Sequence, residues 1–253
     1  MSSRLPTIVS SSLDEFSRHG GLDGRHADGW GVAWYDERDV RLVREPVAAA
    51  SSVCVRFIRE HPIQSQLVLG HVRHATQGEL ALRNTQPFCR ELGGRMHVFA
   101  HNGDLPGARS SGSLRADTFR PVGETDSEHV FCALLEQLRP VWNCETPPAA
   151  EKRRELVADF AAEIRSLGPA NFVYSDGELL FLHGDRRKHE PTESPRPPGL
   201  HVLERTCVPD ASPFGTERPV QHVILAASVP LTDESWTPLA GGELVVARLG
   251  TRL

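Results

Sequence analysis

Two apolar runs, Leu67 to His71 and Met96 to His101, read as buried strands, and each stops where polar residues take over. The first runs into Gly70-His71-Val72-Arg73-His74-Ala75-Thr76 and the second into Ala100-His101-Asn102-Gly103. A chain that ends buried strands on such motifs sets polar groups at the rim of a sheet. Downstream, Thr125-Asp126-Ser127-Glu128 has the form of a capping box ahead of Val130, Phe131, Leu134, Leu135 and Leu138, which predicts a helix start. The chain therefore offers an arginine, an amide beside a glycine, and an aspartate, each at the end of an element. Arg73 can fork onto an α-carboxylate, Asp126 can accept from an α-ammonium, and Asn102 with the Gly103 N–H can donate to a developing oxyanion.

Elsewhere the pattern is mostly β. Gly31 to Asp36 and Val40 to Val43 read as a hairpin, and Phe172 to Tyr174 with Leu179 to Leu182 as a second one around Asp176-Gly177. Val53, Phe57 and Ile58 after Ser51-Ser52 predict a short amphipathic helix that ends near His61-Pro62. Glu151 to Leu167 predicts a longer one, with Leu156, Val157, Phe160, Ala161 and Ile164 on its core face and a stop at Gly168-Pro169. The charged, proline-rich stretch from Gly184 to Gly199 reads as a mobile loop, and Leu200 to Leu203, Val223 to Ala227 and Glu243 to Leu249 as further strands. Many strands with segregated helices indicate an α+β layered fold, and the lack of βαβ alternation argues against a parallel doubly wound sheet. No composition break divides the 253 residues, so one domain spanning 1–253 is expected.

Net charge is -5, which gives no basic footprint for nucleic acid and no attraction to anionic lipid. No apolar run approaches the roughly 20 residues that span a bilayer, and no signal peptide opens the chain, so a cytoplasmic protein is expected. Cys54, Cys89, Cys132, Cys144 and Cys207 form no CxxC pair, and the twelve histidines show no HxxxH or HxxEH spacing, so neither a metal nor another cofactor is expected. Cys132, within a helical apolar stripe, reads as an inert buried thiol. His71 and His101, within strands, read as hydrogen-bonded structural residues.

Each motif has a plainer reading. Asn102-Gly103 is a preferred hairpin turn, Thr125 and Glu128 cap a helix, and Arg73 could be a solvated strand-end charge. Asp28-Gly29-Trp30-Gly31 reads equally as a tight turn with a core tryptophan or as part of a site.

Taken in order, His26-Ala27-Asp28-Gly29-Trp30-Gly31, Asn84-Thr85-Gln86-Pro87-Phe88, Ala100 to Gly103, Phe119 to Glu128 and Pro230 to Trp236 resemble the class II glutamine amidotransferases, in particular their small stand-alone branch. The resemblance implies the N-terminal-nucleophile hydrolase fold, a four-layer αββα sandwich of two mostly antiparallel sheets. It implies that Asn102 and Gly103 form the oxyanion hole, that Arg73 and Thr76 bind substrate, and that Asp126 holds its α-amine. The implied ligand is glutamine or a larger γ-glutamyl small molecule, with a partner synthase or peptidase subunit.

Two departures accompany the resemblance. Gln86 stands where many relatives have histidine. The family's nucleophile, an N-terminal cysteine, is absent from the start Met1-Ser2-Ser3, and the family's opening strand is expected upstream of Pro6-Thr7. Either the native protein begins earlier or this member has lost the nucleophile; Ser2 as a substitute is a third reading. The implied activity is hydrolysis of a γ-glutamyl amide, with this chain inactive, and the alternative is a non-catalytic glutamate- or glutamine-binding sensor or regulatory subunit.

Overall fold

The computed structural model describes residues 1–8, 10–22, 26–142, 146–189, 193–207 and 220–253. In chain order the first strands are β1 (Ser2–Thr7), β2 (Trp30–Asp36), β3 (Asp39–Glu45), β4 (Ser65–Val72), β5 (Phe88–Leu92) and β6 (Arg95–Gly103). They are followed by β7 (Ala170–Ser175), β8 (Leu180–Gly184), β9 (His201–Cys207) and β10 (Gln221–Ala227). Short strands β11 (Thr237–Pro238), β12 (Glu243–Arg248) and β13 (Thr251–Arg252) close the chain. The helices are α1 (Ser10–His19), α2 (Val53–Glu60), α3 (Asp126–Leu138) and α4 (Ala150–Arg165).

The strands form two antiparallel sheets, ordered β11-β9-β10-β1-β4-β2-β3 and β13-β12-β8-β7-β6-β5. Because successive side chains of a strand point to opposite faces, a strand buried on both sides reads as an unbroken apolar run. In β2, Trp30, Val32 and Trp34 pack outward with Val55 and Ile58 of α2, while Ala33 and Tyr35 face inward with Leu182 and Ile224. In β6, Val98 joins that inter-sheet core, whereas Phe99 packs with Phe131 of α3 and Phe160 of α4. The result is the four-layer αββα sandwich.

Both predicted hairpins are present as β2–β3 and β7–β8, and Gly177 supplies the positive φ of the second turn, +86°. Thr125 caps α3, its hydroxyl accepting from Glu128 N–H at 3.3 Å. Glu128 does not return that bond; its carboxylate accepts from Gly123 N–H at 2.6 Å and pairs with Arg90. Cys132 is fully buried, and burial pushes its thiol up to about 11.

Two expectations are corrected. In α2 the buried residues are Val55 and Ile58, while Val53 and Phe57 stay exposed at 67% and 60%. The face three residues apart that meets Trp30 and Val68 excludes them, and Phe57 stacks instead on His61. Within the stretch from Gly184 to Gly199, Arg187 and Arg196 exchange two backbone hydrogen bonds of 3.0 Å, so that loop is tied across its neck. β1 lies at the centre of its sheet, between β4 and β10. Ser2 and Ser3 are small enough to be buried at this central place, and Met1 continues the ladder by exchanging both backbone bonds with Val68.

Candidate active site

A cavity of about 680 Å³ opens where β4 and β6 end, and Arg73, Thr76, Asn102, Gly103 and Asp126 all line it. A second cavity of about 510 Å³ lies by Trp34, Arg41 and His61; its arginine is already paired with Asp36 at 2.8 Å. The chemistry therefore gathers in the first.

Arg73 follows directly on β4 and is 4% exposed. Its N–H donates to Gly29 C=O at 2.7 Å, its C=O accepts from Asp28 N–H at 3.1 Å, and the Asp28 carboxylate accepts from Ala75 N–H at 2.8 Å. The Asp28-Gly29 turn thus holds the arginine motif, and Trp30 is core. The guanidinium donates to the carbonyl oxygens of Gln77, Gly78 and Glu79 at 2.9 to 3.2 Å. Burial lowers its pKa, opposed by the Asp28 and Glu124 carboxylates.

Asn84, 1% exposed, joins this loop to the start of α3. It donates to Glu79 C=O at 3.1 Å and to the Glu124 carboxylate, and accepts from Glu124 N–H at 2.8 Å. Two residues on, the Asp126 carboxylate accepts from Leu105 N–H and Ser127 N–H, each at 2.7 Å. It sits in the first turn of α3, where the helix dipole favours negative charge. Thr76 is exposed at the mouth.

Asn102 and Gly103 close β6. The Asn102 side chain is exposed and donates to Ser228 Oγ at 2.9 Å, while its C=O accepts from the Asn171 amide at 2.9 Å. A Cβ at Gly103 would lie 1.9 Å from Pro169 O, so only glycine fits this backbone approach. Asn102-Gly103 therefore runs on within the ladder, paired with Asn171 and Ala170, instead of turning a hairpin.

Burial disfavours the charged form of the two histidines that also line the cavity, His71 and His101. His101 Nδ1 lies 2.9 Å from Ser127 Oγ, and burial lowers its pKa. His71 is half-buried as a residue, yet its Nδ1 is sealed from solvent without a partner, and desolvation lowers it to about 3. The hydrogen-bonded role expected for His71 falls to its other nitrogen, Nε2, which meets the Gln86 amide nitrogen at 3.5 Å.

Sequence reasoning left Gln86 without a role and missed Asn171, whose side chain fastens Asn102 in place. The signal was a lone amide, 1% exposed, in the otherwise apolar run of β7. Among the described residues, no group of three or more metal-ligating side chains could hold an ion, and no helix is long and apolar enough to cross a membrane. Cys144 lies outside the described residues.

Among known proteins, the sequence profile of the class-II glutamine amidotransferases matches residues 1–253. YafJ of Escherichia coli is 36% identical over 254 residues, which cover 100% of this chain and 97% of that protein. The crystal structure of a predicted glutamine amidotransferase from Pseudomonas aeruginosa is similar at a TM-score of 0.67 and 33% identity, over 93% of this chain and 90% of that one. Glutamine phosphoribosylpyrophosphate amidotransferase from B. subtilis shares the fold alone, with a TM-score of 0.59 and 13% identity over 99% of this chain and 47% of that one.

Proposed function

This chain belongs to the class-II glutamine amidotransferases, and on that premise we propose that its cavity binds the γ-glutamyl group of glutamine or of a larger γ-glutamyl compound. The observation that carries this reading is the convergence of Arg73, Asp126 and the Asn102-Gly103 pair on one cavity. Arg73 and Thr76 take the α-carboxylate, Asp126 the α-ammonium, and the γ-carbonyl oxygen lies toward the Asn102 amide and the Gly103 N–H. Complementing both charges of an amino acid head excludes simple amides, because each buried charge needs its partner. The whole of 1–253 acts as one domain in this reading.

Hydrolysis of the γ-amide by the family's chemistry needs a thiolate at the carbonyl carbon. Among the described residues, no cysteine lines the cavity. Met1 does line it, whereas the Ser2 hydroxyl is turned away and accepts from Gly250 N–H at 3.1 Å. The proposal for this 253-residue chain is therefore binding without turnover, and any ammonia-consuming or peptidase chemistry belongs to a partner.

Calorimetry of the chain with L-glutamate and L-glutamine, run beside an ammonia assay, tests the reading. Binding of both ligands without ammonia release is expected. Absence of binding refutes the pocket. Ammonia release that Ser2→Ala abolishes would instead make the serine a nucleophile.

A further inference from the structure

The cavity extends well past the amino acid head group. Its volume lies in the upper half of the roughly 300–1,000 Å³ that drug-sized ligands fill, more than free glutamine requires. Its wall also carries Arg186, Arg187 and Lys188, from the segment that follows β8. This segment is fastened to the oxyanion residue: the Asn171 side-chain amide donates to both Asn102 C=O and Arg186 C=O at 2.9 Å. Asn171 Oδ1 also accepts from Asp185 N–H at 2.7 Å, and the two bonds between Arg187 and Arg196 close the loop behind. Through Asn171 the segment that carries these cations is thus tied to Asn102, the residue assigned to the γ-carbonyl oxygen.

The cations differ in what they already hold. Arg186 donates to Arg165 C=O and faces Asp185 at 3.9 Å. Asp185 itself is taken by Arg165 at 3.0 Å, and Glu193 by Arg196 at 3.4 Å. Arg187 has no carboxylate within ion-pair distance among the described residues, and its Nε is buried without any partner. A buried guanidinium nitrogen left unpaired is costly unless a ligand supplies the acceptor. The nearby charge of Arg196 adds to that cost, and with burial it lowers the Arg187 pKa. An anion placed here would satisfy the nitrogen and relieve the repulsion between like charges.

We propose that Arg187, flanked by Lys188, forms a carboxylate subsite on the leaving-group side of the cavity, so that the preferred ligand is a γ-glutamyl amide whose amine portion carries its own carboxylate. The inference rests on the γ-glutamyl reading of the cavity. It assigns the chemistry that distinguishes such dipeptide-like compounds from glutamine, whose leaving ammonia has nothing to offer Arg187. A planar guanidinium recognises carboxylate by two parallel hydrogen bonds, which also fixes the direction of the ligand along the cavity.

Calorimetry with γ-glutamylglycine and γ-glutamylethylamide tests the subsite, because the two share the head and the amide and differ in the remote carboxylate. The intact chain should bind γ-glutamylglycine about 10- to 100-fold more tightly. Arg187→Gln should remove that preference and leave the affinity for γ-glutamylethylamide unchanged, while Arg187→Lys should keep part of it. The unchanged ethylamide affinity also reports that the variant is folded. Equal affinity of the intact chain for the two compounds, or a preference that survives Arg187→Gln, overturns the subsite while leaving the γ-glutamyl pocket standing. Failure of both compounds and of glutamate to bind overturns the pocket and the subsite with it.

Discussion

The side-chain amide of Gln86 closes both hydrogen bonds on the backbone of His101: its Oε1 accepts from the N–H at 2.7 Å and its Nε2 donates to the C=O at 3.0 Å. The ladder between β5 and β6 ends at the Phe88–Phe99 pair, so beyond it a side chain supplies the pairing that a strand would have given. The residue so held immediately precedes Asn102.

Gln86→Leu keeps the volume and leaves a buried N–H and C=O unpaired. It should destabilise the protein by about 1–3 kcal/mol for each orphaned group. Gln86→Glu should cost at least as much, because a carboxylate oxygen then faces the His101 carbonyl. Urea midpoints measure both; an unchanged midpoint for Gln86→Leu would show that the clamp contributes nothing.

Asp126→Asn removes the negative charge and keeps one acceptor oxygen, so only one of the Leu105 and Ser127 N–H groups retains its bond. Glutamate affinity should drop at least tenfold, since hydrogen bonds to charged groups are worth about 1.5–3 kcal/mol. Glutarate, which has no α-ammonium, should bind the variant and the parent alike. Equal losses for both ligands would assign Asp126 to structure alone.

Met1 and Ser2 point to opposite faces of β1, the first into the cavity and the second toward Gly250. A variant in which Cys replaces Met1, behind a removable initiating methionine, should therefore gain γ-glutamyl hydrolysis. Ser2→Cys should gain none, since its thiol would sit on the far side of the strand. Ammonia release measures both, and activity in the Ser2→Cys protein alone would reverse the assigned facing of β1.

His97 is fully buried between Tyr174 OH at 2.6 Å and Leu92 C=O at 3.1 Å, and desolvation lowers its pKa from 6.5 to about 4. Between those values the unfolded chain binds the extra proton, so stability present above pH 6.5 is lost as the pH falls toward 4. The contribution is at most about 1.4 kcal/mol per pH unit. His97→Gln, which does not titrate, should flatten that part of the stability profile by about one proton. Chemical denaturation from pH 7 to pH 4 reads the slope, and parallel profiles for the two proteins would show that His97 titrates normally.

Much of the architecture is written in local patterns. The unbroken apolar runs around Leu67–His71 and Met96–His101 mark strands buried on both faces, and the Asp-Gly turn and the Thr125 cap come from residues adjacent in the chain. Their short range is why they can be read without coordinates. The same runs put Arg73 and Asn102 at strand ends, so these candidate residues were legible before their meeting in one cavity was. What periodicity could not give are bonds between residues far apart in sequence. The Gln86 clamp on His101, the Asn171 tie from Asn102 to Arg186, the central place of β1 and the unpaired nitrogen of Arg187 each depend on which strands lie side by side. Strand order is a property of the whole packed sandwich, because backbone and amide groups find partners only after burial has chosen their neighbours.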